Sequence, residues 1–139
     1  MENMTVDYNI TLEQMITAGK YEWTNDNITD KLFPLSGTGR MTFQPKLFQF
    51  NRDISSEDAI REMEKDGFRP AKIEELLTYS AILPEEQRNY PTVALGSVAE
   101  LDGRRRVPCL IRSASERNLY LFWWNHDWSG YFRFLGVRK

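Results

Sequence analysis

NLYLFWWNHDWSGYFRFLGVRK, residues Asn118 to Lys139, holds three of the four tryptophans and the only histidine of the chain. Two runs rich in β-forming residues, Leu119–Trp124 and Tyr131–Val137, flank the polar segment Asn125–Gly130. This pattern predicts two antiparallel strands joined by a loop. Both alternating sets of side chains in the first run are apolar, which indicates a central strand that is covered on both faces.

Helix signals come earlier in the chain. Thr11 and Gln14 have the spacing of a capping box at the start of a short helix. Ser55 is placed to cap a second helix, which Gly67 is expected to end in the left-handed conformation. Pro70 stands where a third helix is predicted to begin, since its missing N–H is not needed there.

Strand signals dominate the chain after Pro91. Asp102-Gly103 marks a hairpin turn that leads into a strand at Arg104–Ile111. We therefore expect a four-stranded antiparallel meander from Thr92 to the end of the chain. Helices followed by a cluster of strands predict an α+β fold, with two to three helices packed on a small antiparallel sheet.

The length of 139 residues predicts a single domain over residues 1–139, with residues 1–8 as a loosely held N-terminal arm. Cys109 is the only cysteine, so the chain forms no intramolecular disulfide and a reducing compartment is expected. There is no signal-peptide pattern and no apolar run of membrane-spanning length. We therefore expect a cytoplasmic protein without a membrane partner. The composition does not indicate an oligomeric state.

The charge balance argues against a nucleic-acid partner, because a net charge of −2 gives no long-range attraction for phosphates. The alternative hypothesis is a local basic face beside the aromatic residues. Its members would be Arg104, Arg105, Arg106, Arg112, Arg117, Arg133 and Arg138. The more common role of such an arginine run next to Asp-Gly is to keep a hairpin end in solvent.

The run from Trp123 to Trp128 is the predicted binding site. Its indole rings offer stacking faces, and its polar residues offer hydrogen bonds to a ligand. The alternative is a hairpin whose tryptophans close the core and whose polar tip only makes a turn. The expected ligand-binding residues are Trp123, Trp124, Asn125, His126, Asp127, Trp128, Tyr131 and Arg133. No metal site is expected, because calcium requires more oxygen ligands than this run provides.

Three groups in the sequence are candidates for catalysis: His126, Cys109 and the pair Glu74 and Glu75. His126 can act as a general base near neutral pH, but no serine or cysteine nucleophile with a recognisable signature accompanies it. Cys109 lies at an inward position of a strand, which predicts an inert buried thiol. Glu74 and Glu75 are neighbours on a helix and point in different directions, so shared acid–base chemistry is not expected.

The predicted function is therefore a non-catalytic module that binds a protein or a small ligand through the aromatic loop, without a cofactor. One alternative is a small hydrolase or transferase that uses His126 with an acidic partner. The other is a protein that contacts nucleic acid through Arg104–Arg106.

Two phrases carry a resemblance to a known fold. Gly67–Leu76, GFRPAKIEEL, is similar to the phrase that opens the second helix in formylglycine-generating-enzyme-like and other bacterial C-type-lectin-like domains. Tyr131–Arg138, YFRFLGVR, resembles their closing strand. The resemblance implies two helices on a small sheet, with Trp123–Trp128 in a ligand-binding loop. The paired cysteines of the formylglycine enzymes are absent, so their oxidation chemistry does not carry over. Most of the chain also resembles a set of short bacterial proteins that share the opening Leu12–Ile16 and Ala18–Tyr21 and a Tyr-Arg-Phe-like ending, which implies no known activity.

Overall fold

A computed structural model describes all residues from Met1 to Lys139 as an α+β fold of three α-helices and ten β-strands, which confirms the predicted class. The helices are α1 (Leu12–Gly19), α2 (Ser56–Lys65) and α3 (Ile73–Ile82). The strands are β1 (Met4–Asp7), β2 (Trp23–Thr24), β3 (Arg40–Phe43), β4 (Pro45–Phe48), β5 (Phe68–Pro70), β6 (Thr92–Val93), β7 (Ala99–Leu101), β8 (Arg104–Ser113), β9 (Glu116–Trp123) and β10 (Arg133–Arg138). None of the helices has the length and apolar character needed to cross a membrane.

The main sheet runs in the order β2-β9-β8-β6-β10-β4, with β5 beside β10 and β7 beside β8. The predicted pairing of the last two strands is wrong, because β8 and β6 lie between β9 and β10. The physical reason is the bridge between Ile54 and Trp128, which carries the connecting loop towards the start of α2. The chain then enters the sheet beside β6 and β4. The predicted meander therefore holds only from β7 to β9.

The N-terminal residues are part of the fold. β1 pairs with β3 in a separate two-stranded sheet, and Met4 and Val6 are buried. The expectation of a loosely held arm is therefore wrong for Met4–Asp7, because this segment contributes apolar side chains to the core and shares its backbone hydrogen bonds with β3.

The predicted helix caps follow the sequence closely. The Gln14 N–H donates to the Thr11 hydroxyl over 3.1 Å, and the Thr11 N–H donates to the Gln14 side chain over 2.8 Å. Ser55 accepts from the backbone N–H of Asp58, as an N-cap does.

Pro70 differs from the prediction: it ends β5 instead of starting a helix, because the segment before α3 pairs with β10.

Two apolar clusters lie on opposite faces of the β8–β9 pair. Leu110 and Leu119 belong to the cluster that α1, α3 and the β1–β3 sheet cover. Val107 and Cys109 belong to the cluster that α2 covers. The predicted two-sided burial of this part of the sheet follows from these two layers.

Arg117 joins the ends of two helices to the start of β9. Its buried guanidinium donates to the carbonyl oxygens of Gly19 and Pro84 over 2.8 and 2.7 Å. It also donates to Ser80 Oγ and Gln87 Oε1 over 3.0 and 3.1 Å. Carbonyl groups at helix C-terminal ends carry partial negative charge, which compensates this buried cation. Arg117 therefore does not belong to an exposed basic face.

We predict that Gly67→Val lowers the free energy of unfolding by about 1 kcal/mol or more, because Gly67 has φ +84° and a β-branched residue is strained there. An added Cβ would meet no atom within 4 Å, so the cost comes from the backbone and not from a clash. Urea denaturation measures the change. Gly67→Asn is the control and should lose less, since asparagine tolerates this conformation. An equal loss in both variants contradicts the account.

Candidate functional site

The turn between β7 and β8 places the arginine run at the edge of the sheet. Asp102 and Gly103 both have positive φ, 54° and 76°, which fits a two-residue hairpin turn of type I′. Leu101 then pairs with Arg104 across the turn. The predicted Asp-Gly hairpin is therefore confirmed, and it brings the start of β8 beside the end of β9.

The register of β8 and β9 decides which tryptophan the arginines meet. Arg106 pairs with Trp123, and the backbone N–H of Trp124 donates to the carbonyl of Arg105 over 2.9 Å. Side chains alternate between the two faces of a sheet. Arg104 and Arg106 consequently share the face of Trp123, whereas Arg105 shares the face of Trp124.

Guanidinium groups lie against the exposed indole ring of Trp123. The Arg106 and Arg104 guanidinium carbons are 3.8 and 4.8 Å from the centre of this ring, within the range of cation–π contacts. Trp123 keeps 36% of its surface exposed. No carboxylate lies within salt-bridge distance of Arg104, Arg105 or Arg106, although Glu100 lies opposite Arg105 in the β7–β8 register.

A cavity of about 520 Å³ opens beside this ring. Its lining residues are Glu100, Gly103, Arg104, Arg105, Trp123 and Asn125. The Oδ1 atom of Asn125 lies 3.5 Å from a guanidinium nitrogen of Arg105. The volume is that of a small-molecule site, and the lining is mainly polar and cationic. We call Arg104, Arg105, Arg106, Trp123 and Asn125 the Arg–Trp surface.

Trp124 and Trp128 do not present their rings to an outside molecule. Trp128 is 0% exposed, and its indole N–H donates to Ser56 Oγ over 2.9 Å. Trp124 is 8% exposed, and its indole N–H lies 3.3 Å from a carboxylate oxygen of Glu57. The expectation that both rings contact a ligand is wrong in this structure. The physical reason is that the loop folds over the start of α2. There Ser56 and Glu57 accept hydrogen bonds from the two indole N–H groups.

His126 lies among aromatic rings and has no acidic partner. Its ring centre is 4.6 Å from that of Trp128 and 5.8 Å from that of Phe132. The Asp127 side chain is exposed and forms no hydrogen bond with His126. The arrangement therefore offers no oriented acid–base pair for the predicted hydrolase or transferase alternative.

Tyr131 and Arg133 form a separate group, away from the Arg–Trp surface. The Arg133 guanidinium lies 3.6 Å from the ring centre of Tyr90, and the Tyr131 ring is 5.6 Å from the same ring. The Tyr131 hydroxyl donates to the carbonyl of Asn89 over 3.0 Å. The eight predicted ligand-binding residues therefore lie in four places. Trp123 and Asn125 belong to the Arg–Trp surface, Trp124 and Trp128 to the core, His126 and Asp127 to the loop, and Tyr131 and Arg133 to this group.

Cys109 has the environment of an inert thiol. The residue is fully buried, and burial raises its pKa well above the ordinary value. Because the thiolate is the nucleophilic form, a raised pKa suppresses its reactivity at neutral pH. The prediction of a buried cysteine is confirmed.

The sequence did not reveal a buried charge network at the start of α3. Glu75 is 4% exposed and receives two hydrogen bonds from Arg69, over 2.9 and 2.6 Å. Glu74 is 1% exposed and accepts from the hydroxyl groups of Tyr8 and Ser36. Burial and the nearby Glu74 charge raise the pKa of Tyr8. These contacts compensate both carboxylates and connect α3 to β5 and to the N-terminal segment.

In comparisons with protein-family models, with curated proteins and with solved structures, nothing matches this chain. The resemblance to C-type-lectin-like domains therefore stays a prediction, as does the cytoplasmic location. Any functional assignment has to come from the geometry of the site.

We predict that Trp128→Ala lowers the free energy of unfolding by about 3–5 kcal/mol, the usual cost of removing a buried large aromatic side chain. Trp123→Ala is the matched control, because it removes the same ring from the partly exposed end of β9. Its loss should not exceed about 1–2 kcal/mol. Thermal or urea denaturation of both variants measures the difference. Equal losses would mean that the two rings are buried alike, contrary to the structure.

Proposed function

We propose that this protein is a non-catalytic binding module that recognises an anionic group on a protein or small ligand at the Arg–Trp surface. The observation that carries the proposal is the position of two guanidinium groups, without carboxylate partners, against the exposed ring of Trp123. Of the predicted binding run from Trp123 to Trp128, the residues Trp123 and Asn125 contribute to this surface.

The chemistry of the cluster favours a carboxylate or a phosphate as the recognised group. Arginine presents its N–H donors as a rigid planar fork that matches two oxygens of such an anion. Contact with the Trp123 ring restrains the side chains of Arg104 and Arg106, so less rotamer entropy remains to be lost when a ligand binds. Glu100, which lines the same cavity, disfavours an anion that comes close to it and so restricts where the ligand lies.

The overall charge supports a short-range role for this surface. With a net charge of −2, the protein has no broad attraction for polyanions. Exposed charges act over about 8 Å at physiological salt, so the cationic cluster recognises only groups that come close to it. A protein or small ligand therefore suits the surface better than a nucleic-acid chain does.

We predict that isophthalate, a flat dicarboxylate, shifts the indole N–H resonance of Trp123 in a saturable way when titrated by NMR. Replacing both Arg104 and Arg106 by Gln should weaken this binding at least about tenfold, because charge-assisted hydrogen bonds are lost. Arg112→Gln is the matched control: Arg112 is exposed on the same strand but lies over no aromatic ring, so binding should persist.

Trp23 provides an internal reference for this titration. Its ring is 46% exposed and no guanidinium lies over it. If Trp23 shifts as much as Trp123, or if the double variant binds as well as the parent protein, the proposed function is wrong.

A further inference from the structure

The edge of β9 that faces away from β8 is only partly paired with another strand. The β2–β9 register contains just two residue pairs, Trp23 with Asn118 and Thr24 with Leu119. The N–H of Asn25 still donates to the carbonyl of Leu119 over 3.0 Å. The chain then turns away from β9, because the carbonyl of Asn25 accepts from the Ile28 N–H instead.

The β8–β9 register shows which backbone groups face the open edge. In β9, Phe122 opposes Val107, and Leu121 opposes Pro108, which has no N–H to donate. The bond from the Trp124 N–H to the Arg105 carbonyl fixes the alternation: even-numbered residues of β9 exchange hydrogen bonds with β8. Leu121 and Trp123 therefore direct their N–H and C=O groups outwards, where β2 no longer reaches them.

The two faces beside this open edge differ in chemistry. On one face the Trp123 ring carries the guanidinium groups of Arg104 and Arg106. On the other face, the ring centres of Tyr120 and Phe122 are 6.2 Å apart, and both side chains are partly exposed. Successive side chains of an extended chain added at this edge would point to opposite faces of the sheet. One set would lie beside the cationic groups, and the other set beside the aromatic rings.

We propose that the partner is an extended peptide segment of another protein, with acidic and apolar residues in alternation, which adds to β9 as a further strand. This inference rests on the proposed function, since the acidic side chains would occupy the Arg–Trp surface. Backbone hydrogen bonds to Leu121 and Trp123 hold the segment in place. Its apolar side chains pack beside Tyr120 and Phe122, which sets the register of the added strand.

Charge and length both fit this occupant. Arg104 and Arg106 form no salt bridge within the chain, so acidic side chains of a peptide can pair with their guanidinium groups. The free edge from Tyr120 to Trp123 spans about 10 Å at the usual rise of a strand. It suits a short linear segment better than the strand of a large sheet.

The test uses a capped peptide of about six residues with alternating glutamate and valine, long enough to cover the free edge. We expect it to shift the backbone amide resonances of Leu121 and Trp123 by NMR. A peptide of the same composition, with its glutamates in one block and its valines in another, should bind at least about fivefold more weakly, because it cannot present one residue type to each face.

Methylation of peptide N–H groups separates strand addition from simple charge attraction. In an added strand, every second N–H points to β9 and the others point to solvent. Methylating one alternate set should therefore weaken binding at least about tenfold, because the hydrogen bonds to the carbonyl groups of Leu121 and Trp123 are lost, whereas methylating the other set should leave it unchanged.

These experiments distinguish failure of strand addition from failure of the proposed function. If isophthalate binds but both methylated peptides bind as well as the parent peptide, strand addition is overturned and the anion site remains. If a single-stranded oligothymidylate shifts Leu121 and Trp123 and the alternating peptide does not, the protein partner is overturned. If neither isophthalate nor the peptide shifts Trp123, both proposals are overturned.

Discussion

The register of the β8–β9 pair is the constraint on which the rest of the structure depends. Side chains alternate along both strands, so a slip of one residue would exchange every inward and outward position. The observed register places Leu110 and Leu119 in one apolar cluster and Val107 in the other. The same register sets Arg106 opposite Trp123. The pairing that closes the core therefore also creates the candidate binding surface.

Long-range polar contacts hold this pair of strands against the helices. The Arg117 guanidinium binds carbonyl groups at the ends of α1 and after α3, so β9 begins at a fixed place relative to both helices. At the other end of β9, Ser56 donates to the carbonyl of Trp124 over 2.8 Å and fixes the loop over α2. Trp123 lies between the packed strand and this anchored loop. A binding surface on such a rigid support loses little freedom when a ligand binds.

Local features of the fold could be predicted from the sequence, because both partners lie within a few residues of each other. The Thr11–Gln14 capping box, the Ser55 cap and the Asp102-Gly103 turn are of this kind. The order of the strands could not be predicted in this way. The aromatic runs of β9 and β10 suggested a hairpin, but the partner of a strand depends on contacts between distant segments, such as the bridge from Ile54 to Trp128. The site could be predicted only in part, also because it depends on contacts between distant segments. The arginine run and the tryptophans stand out in the sequence. Only the β8–β9 register identifies Trp123 as the ring that the arginines contact.

The most direct test of this account is amide hydrogen exchange along β9, measured residue by residue by NMR under native conditions. The account predicts alternation: the N–H groups of Tyr120 and Phe122, which face β8, exchange slowly, and those of Leu121 and Trp123, which face the open edge, exchange quickly. Slow exchange at all four residues would contradict the free edge, and slow exchange at Leu121 and Trp123 alone would contradict the register as well.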